Sequence, residues 1–273
     1  MNVRCFTIAV LAAGLFLFAR TGQAFSYSVD ETTTAAFGDV GQNQVGPNGT
    51  NGNNFCAPTA TINSFTWLSN AYPGTYGDLL MGGQSTWVAA GQLLAGGNFM
   101  QTDPNTGTSV ANWINGKFNY IQTYAPGSTV FQGMSSLGTG GQPWVQPAAP
   151  TANFLLQMLE DGEDVELGIV PAAGGTGHVL TLSSIDWSTD GLSIDGLDPA
   201  GSDGLGTSAS EFDLDLTING GGNPITVSGG DGGIYNGYAL DVALAESPCP
   251  EPATLSLFLA GCGVMAVVRR IRR

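Results

Sequence analysis

The pattern of apolar and polar positions divides the chain into helices first and strands second. From residue 57, apolar side chains recur at helical spacing up to residue 70, with Pro58 tolerated in the first turn and Pro73 just past the end. Thr151 is a suitable N-cap for a later helix. Further helices are predicted over 85–94, 109–120 and 151–159.

After Gly162 the apolar period changes to that of β-strands. Strands rich in branched apolar residues are predicted over 164–170, 177–185, 193–197, 212–218, 224–228 and 235–244. Residues 25–37 supply a candidate edge strand, and the Gly/Asn/Gln-rich segment 38–54 is predicted to be a loop. Helices followed by an antiparallel sheet are typical of an α+β fold.

The N-terminus carries a targeting signal rather than part of the fold. Residues 1–24 combine a short basic start, an apolar run and small residues before a cleavage point after Ala24, which is the order of a secretory signal peptide. An uncleaved membrane anchor is the alternative, but the apolar run is short for a span.

The C-terminus combines three elements in a fixed order. Pro250-Glu251-Pro252 precedes an apolar stretch over 255–268, and an arginine cluster follows. The stretch approaches the length of a membrane span, and the arginines would hold its end on the cytoplasmic side.

This order resembles the PEP-CTERM sorting signal, with Pro250, Glu251 and Pro252 as its motif. The resemblance implies export across the inner membrane by the secretion machinery and anchoring by the tail, 247–273. It also implies recognition by an exosortase-type enzyme and a cell-surface or extracellular destination. The exported body is then 25–246, enough for one domain with a substantial core.

The charge of the exported body is strongly one-sided. The chain has 7 basic and 22 acidic residues, and Lys117 is the only basic residue outside the signal and the tail. Because so acidic a body repels phosphate backbones, nucleic acid is excluded as a partner. High negative charge is consistent with a soluble protein at a cell surface.

Cysteine positions leave one thiol in the body. Cys5 lies in the signal, Cys262 lies in the tail, and Cys249 adjoins the sorting motif, so Cys56 stands alone. It is a reactive thiol, a buried inert one, or half of a bridge with Cys249.

Cys56 is also placed for nucleophilic chemistry. A thiol at a helix N-terminus is stabilised as thiolate by the helix dipole, and the neighbouring N–H groups can hold an oxyanion. The only histidine of the chain, His178, opens a predicted strand, and Asp198 ends the next strand. If these strands are antiparallel neighbours, the two side chains can meet and the carboxylate can orient the imidazole.

The blocks around these residues resemble those of C39-like papain-fold cysteine peptidases. They are residues 54–60, Gly177-His178 before an apolar strand, and residues 197–199. The resemblance implies a papain-like α+β fold over the body. It implies Cys56 as nucleophile, His178 as general base and acid, and Asp198 as the orienting group.

The oxyanion donor departs from that family's pattern. The family places a glutamine about six residues before the cysteine, where this chain has Thr50. Asn53 and Asn54 are candidate substitutes, and Gln44 is the nearest upstream glutamine. Losing one oxyanion donor lowers the rate about a hundredfold or more.

These observations predict an exported thiol peptidase or related acyl-transfer enzyme, with a peptide substrate and extracellular polymer as expected partners. The alternative is a catalytically inactive papain-fold protein that binds the surface or the extracellular matrix. We expect no cofactor and no metal. One His and one Cys in the body exclude a zinc cluster, and the acids in 160–166 and 203–215 lack calcium-loop spacing and are expected to be solvated.

Overall fold

The structure, a computed structural model, describes residues 26–47, 52–188, 191–201, 208–218, 225–230 and 233–249. The predicted signal peptide, the Pro250-Glu251-Pro252 motif and the apolar tail lie outside these ranges. Within them, no helix has the length and apolar character needed to cross a membrane.

The helical part of the described chain lies mostly before residue 125. The α-helices are α1 (Gln42–Val45), α2 (Cys56–Ala71), α3 (Trp87–Ala95), α4 (Val110–Tyr124) and α5 (Ala152–Glu160). Two short 3-10 helices span Glu31–Thr33 and Leu79–Met81. Helix α1 falls in the segment predicted to be a loop, whereas α2 to α5 occur near their predicted positions. Thr151 caps α5 as expected, since its hydroxyl accepts from the Phe154 N–H at 3.1 Å.

The strands extend through most of the second half. They are β1 (Ser26–Asp30), β2 (Thr129–Ser135), β3 (Val145–Gln146), β4 (Asp164–Pro171), β5 (His178–Ser188), β6 (Leu192–Asp198), β7 (Ser210–Thr217), β8 (Ile225–Gly229) and β9 (Tyr238–Pro248). Strands β2 and β3 were not predicted from the sequence pattern.

The predicted papain-like α+β fold is wrong. Strands β4 to β9 pair in sequence order, and β4 also pairs with β9, so six antiparallel strands close into a barrel. Strands β1, β2 and β3 extend it at β5 and β9, which makes the described fold mostly β. Closure depends on the pairing of Asp164 with Glu246 and of its neighbours along the same two strands. Contacts so distant in sequence leave no mark on local apolar periodicity.

The side chains of β4 point alternately to the two faces of the barrel wall, and each face belongs to a different apolar core. Val165 and Leu167 face the barrel interior, where they pack with residues of β5 to β9 and with α5. The intervening positions face the helices, and a Cβ at Gly168 would lie 3.0 Å from the Trp113 ring of α4. The outer face of the barrel is therefore the floor on which α2 and α4 pack.

Helix α2 is buried along most of its length, and its polar side chains are used internally. Asn63 both accepts from the Val40 N–H at 2.9 Å and donates to the Val40 carbonyl at 3.0 Å. On the barrel side, the Thr181 hydroxyl of β5 donates to the Ala60 carbonyl at 3.0 Å. Because Ala60 lies one turn after Cys56, this bond fixes the N-terminus of α2 against the start of β5.

Candidate active site

A tight turn presents Cys56 as the first residue of α2. The Phe55 N–H donates to the Gly52 carbonyl at 2.8 Å, and the Gly52 N–H donates to the Asn43 side chain at 2.6 Å. A Cβ at Gly52 would lie 1.9 Å from the carbonyl oxygen of Gln42. Only glycine therefore lets this turn lie directly against α1. Cys56 itself is partly exposed and is a free thiol, so the alternative of a bridge to Cys249 is wrong.

His178 lies between Cys56 and Asp198. Strands β5 and β6 are antiparallel neighbours, and the His178 Nε2 lies 2.8 Å from the Asp198 Oδ1. The imidazole also lies close enough to the Cys56 thiol for each group to shift the pKa of the other. Because Nε2 faces the carboxylate, Nδ1 is the nitrogen left for the sulfur. The structure thus brings together the three residues that the sequence singled out.

Tyr235 is a fourth member of the site that was not identified from the sequence. Its hydroxyl donates to the Asp198 Oδ2, and its ring stacks on the His178 ring at 5.6 Å between centroids. Burial raises the Tyr235 pKa, and the adjacent Asp198 carboxylate raises it further, so the phenol stays a neutral donor. Tyr235 lies in a loop before β9 and far along the chain from Cys56, so no motif marks it.

Electrostatics favour an ion pair between the sulfur and the imidazole. Burial lowers the His178 pKa, but the Cys56 thiolate and Asp198 outweigh burial and raise it to about 10. Burial raises the Cys56 pKa, but the His178 imidazolium and the N–H groups of Val179 and Ala57 bring it below its ordinary value. Both shifts favour thiolate with imidazolium, the reactive form of a cysteine nucleophile.

Asp198 is held ionised by several donors. Burial raises its pKa, but the hydrogen bonds from His178, from Tyr235 and from the Ala200 N–H at 2.7 Å outweigh burial and lower it. A buried carboxylate with three donors cannot rotate without losing one of them. It is suited to hold the imidazole in one orientation.

Gln42 lies next to the two segments of chain that carry Asp198 and Cys56. Its N–H donates to the Pro199 carbonyl at 2.8 Å, directly after Asp198, and its own carbonyl lies under the turn that precedes Cys56. The side chain is buried, and its Oε1 has no hydrogen-bond partner among the described residues. The Gln42 backbone therefore joins both segments of the site, and the unpartnered atom of its side chain is an acceptor. Its position 14 residues before the cysteine explains why the expected spacing did not reveal it.

The oxyanion candidates chosen from the sequence lie elsewhere or are engaged. The Asn54 amide donates to the Pro104 carbonyl at 2.8 Å, and Asn53 is exposed in the turn. Gln44 lies two residues beyond Gln42 in α1, and its carbonyl accepts from the Gln92 side chain at 3.1 Å. No contact of these three with the site is seen among the described residues.

Residues 248–273 match the PEP-CTERM protein-sorting motif. The match confirms the predicted sorting signal, and with it recognition by an exosortase-type enzyme and export with C-terminal anchoring before sorting. The destination is the cell surface or the extracellular space. The match begins at Pro248, the last residue of β9, and does not reach the site. No curated protein matches this chain.

One further group of titratable side chains is buried outside this site. Asp164, Glu166 and Glu246 face α2 and α4 from the outer surface of the barrel, and each is almost fully buried. The expectation that the acids of 160–166 form a solvated face is wrong for Glu163, Asp164 and Glu166. These three carboxylates are the residues among those described that could hold a metal ion.

Proposed function

We propose that this protein is an exported cysteine-dependent hydrolase that transfers an acyl group through a thioester on Cys56. Peptide amides are the leading substrate class. The observation that carries the proposal is the position of one imidazole between a thiol and a carboxylate. The His178 Nε2 lies 2.8 Å from the Asp198 Oδ1, and the imidazole lowers the pKa of the neighbouring Cys56 thiol.

The reaction starts with the Cys56 thiolate. Its sulfur attacks the carbonyl carbon, an S–C bond forms, and the carbonyl π pair moves onto oxygen. When the intermediate collapses, the C–N bond breaks and the leaving amine takes the proton from the His178 imidazolium. Water then attacks the thioester while His178 accepts its proton, and release of the acid regenerates the thiolate.

Two kinds of donor can stabilise the negative oxygen. The first turn of α2 has backbone N–H groups at Cys56 and Ala57 without partners inside the helix, since helical bonding begins with the Thr59 N–H to the Phe55 carbonyl. As the second donor we propose the Nε2 amide of Gln42, because the backbone of this residue lies directly against the turn that precedes the nucleophile. Oriented donors of this kind supply a large part of the rate enhancement in acyl transfer.

Access and location support the same function. The His178 side chain is 15% exposed, and Cys56 is partly exposed, so a carbonyl can approach the sulfur from solvent. The sorting signal sends the protein to the cell surface or beyond, where peptides and extracellular polymer are the available substrates and partners.

The test is acyl-enzyme capture on the secreted protein. The full-length chain is expressed in an exporting host, incubated with a mixed peptide library at neutral pH, and analysed by mass spectrometry for cleaved products and for a thioester on Cys56. We expect both with the wild-type protein and neither with Cys56→Ala. A library left intact, with no adduct on Cys56, would overturn the proposal and favour a catalytically inactive surface or matrix-binding protein.

A further inference from the structure

The lysine of the body is buried in an acidic chamber. Lys117 of α4 has no exposed surface, and its Nζ donates to the Oε2 of Glu166 and to the Oε2 of Glu246. Asp164 lies beside them, because it pairs with Glu246 across β4 and β9 and points to the same face as Glu166. The chamber is closed by α2 and α4 on one side and by the barrel on the other.

Lys117 does not balance the charge of this chamber. Three carboxylates and one ammonium sum to −2 when all are ionised. No second lysine or arginine can offset the remaining negative charge, because Lys117 is the only lysine or arginine among the described residues. Burying unpaired charge is costly, because the interior cannot replace the lost hydration. Burial accordingly raises the pKa values of Asp164 and Glu246, so that either protons or a cation neutralise the excess charge.

Four carboxylate oxygens of the chamber are available as ligands. Both oxygens of Asp164, the Oε1 of Glu166 and the Oε1 of Glu246 are buried without a hydrogen-bond partner in the described part of the chain. One oxygen from each of the three carboxylates lies within 4.8 Å of the others. Calcium binds oxygens at about 2.3–2.6 Å, so ligands on opposite sides of the ion are about 4.6–5.2 Å apart.

Ser64 is an independent indication of a ligand. It belongs to α2, carries no charge and has no exposed surface. Its hydroxyl lies close enough to the carboxylates of Asp164 and Glu166 to lower their pKa values, but it has no partner in good hydrogen-bond geometry among the described residues. A fully buried hydroxyl beside two carboxylates, with its own hydrogen-bonding capacity not fully used, is placed as an additional oxygen ligand.

We propose that Asp164, Glu166, Glu246 and Ser64 form a binding site for one divalent cation of the calcium type. The four side chains supply oxygen ligands only, which is the preference of a hard cation, and one double charge brings the chamber to neutrality. Calcium suits the chamber better than magnesium, which keeps several of its waters and requires a near-ideal octahedron. Lys117 holds the second oxygen of each glutamate and leaves the first oxygen available.

The site is structural rather than catalytic. It joins α2, which carries Cys56 at its other end, to β4 and β9, which close the barrel. A bound cation therefore stabilises the contact between the helices and the barrel without touching the reacting atoms.

The experiment measures thermal unfolding of the full-length protein at neutral pH in EDTA, in 1 mM CaCl₂ and in 1 mM MgCl₂. We expect calcium to raise Tm by about 5 °C or more and magnesium to raise it less. Asp164→Asn should abolish the calcium shift, and Ser64→Ala should reduce it. The matched control is Asp213→Asn, which removes an exposed acid of β7 and should keep the full shift.

Cation binding is also measured directly on the wild-type protein, so that the test does not depend on whether a variant folds. Terbium luminescence, sensitised by aromatic residues near the chamber, should appear with the wild-type protein and disappear when calcium is added in excess. A Tm that calcium leaves unchanged, together with no terbium signal, would overturn the proposal. So would a calcium shift lost in Asp213→Asn but kept in Asp164→Asn, because the cation would then bind the surface.

Discussion

The Tyr235 hydroxyl donates to the oxygen of Asp198 that does not face His178. The two carboxylate oxygens thus have separate tasks: one holds the imidazole, and the other is held by the phenol. A tyrosine from the loop before β9 therefore acts on a histidine of β5 through the carboxylate between them, which makes it a positioning residue.

Tyr235→Phe should weaken this arrangement while keeping the ring stack. Asp198 loses one of its donors, so its pKa rises and the imidazolium is less well held. We expect about 2 kcal/mol lower stability, the usual value for a hydrogen bond to a buried charged group. The pH profile of Cys56 alkylation should also move to higher pH. Tyr238→Phe, at the ring that meets Tyr235 edge-on, is the control and should leave the profile in place. An unchanged profile in Tyr235→Phe would mean that the phenol is only structural.

Alkylation of Cys56 by iodoacetamide, followed at peptide level, should report the ion pair directly. The Cys56 pKa is lowered and the His178 pKa is raised to about 10, so the alkylation rate should rise at a lower pH than that of an ordinary thiol. His178→Ala removes the cation, and the rate at pH 7 should fall about tenfold or more and then rise with pH like that of an ordinary thiol. Equal rates in the two proteins would show that His178 does not activate the sulfur.

Gln42→Ala should slow hydrolysis, which depends on the oxyanion donor, without changing the reactivity of the Cys56 thiol. The side-chain amide is lost while the backbone bond to Pro199 is kept, so we expect hydrolysis to slow by about a hundredfold with alkylation of Cys56 unchanged. Gln44→Ala, two residues away in the same helix, is the matched control and should retain activity. A full loss of alkylation in Gln42→Ala would instead mean that the site has been displaced.

Glu31→Gln should change stability in a pH-dependent way. Burial and the nearby Asp30 raise the Glu31 pKa to about 7 from an ordinary 4.5. The folded state therefore keeps a proton that the unfolded chain releases, and stability falls as pH rises from 4.5 through 7. Urea unfolding should give equal stability for variant and wild type near pH 4, and about 2 kcal/mol more for the variant at pH 8. Glu211→Gln, at an exposed position of β7, should show no such gain; a gain of similar size there would point to general charge repulsion.

Thr181→Val should test the bond between β5 and α2. The substitution keeps the side-chain shape but removes the donor to the Ala60 carbonyl. We expect about 1 kcal/mol lower stability and slower alkylation of Cys56, because the helix start is less firmly held against His178. Thr226→Val, on β8 away from this contact, provides the comparison. Slower alkylation in both variants would mean that general loosening, not this bond, is responsible.

Local features of the sequence determined most of the helices and strands and the sorting signal at the C-terminus. Helical spacing placed α2 with Cys56 at its start, a capping threonine placed α5, and alternating apolar residues placed β4 to β9 close to their observed bounds. The sorting motif was also readable, because a short ordered set of residues next to an apolar stretch needs no tertiary structure. The singular occurrence of Cys56 and His178 in the body was sufficient to identify them as the pair to examine.

Tertiary structure alone decided the closure of the sheet, the roles of Tyr235 and Gln42, and the burial of Asp164 and Glu166. Each depends on contacts between residues far apart in the chain, whereas apolar periodicity reports only which side of its own element a residue occupies. The acids near residue 164 illustrate this limit. Their charge predicted a solvated surface, but the pairing of β4 with β9 under α2 and α4 placed them beside Lys117 in the buried chamber for which we propose a bound cation.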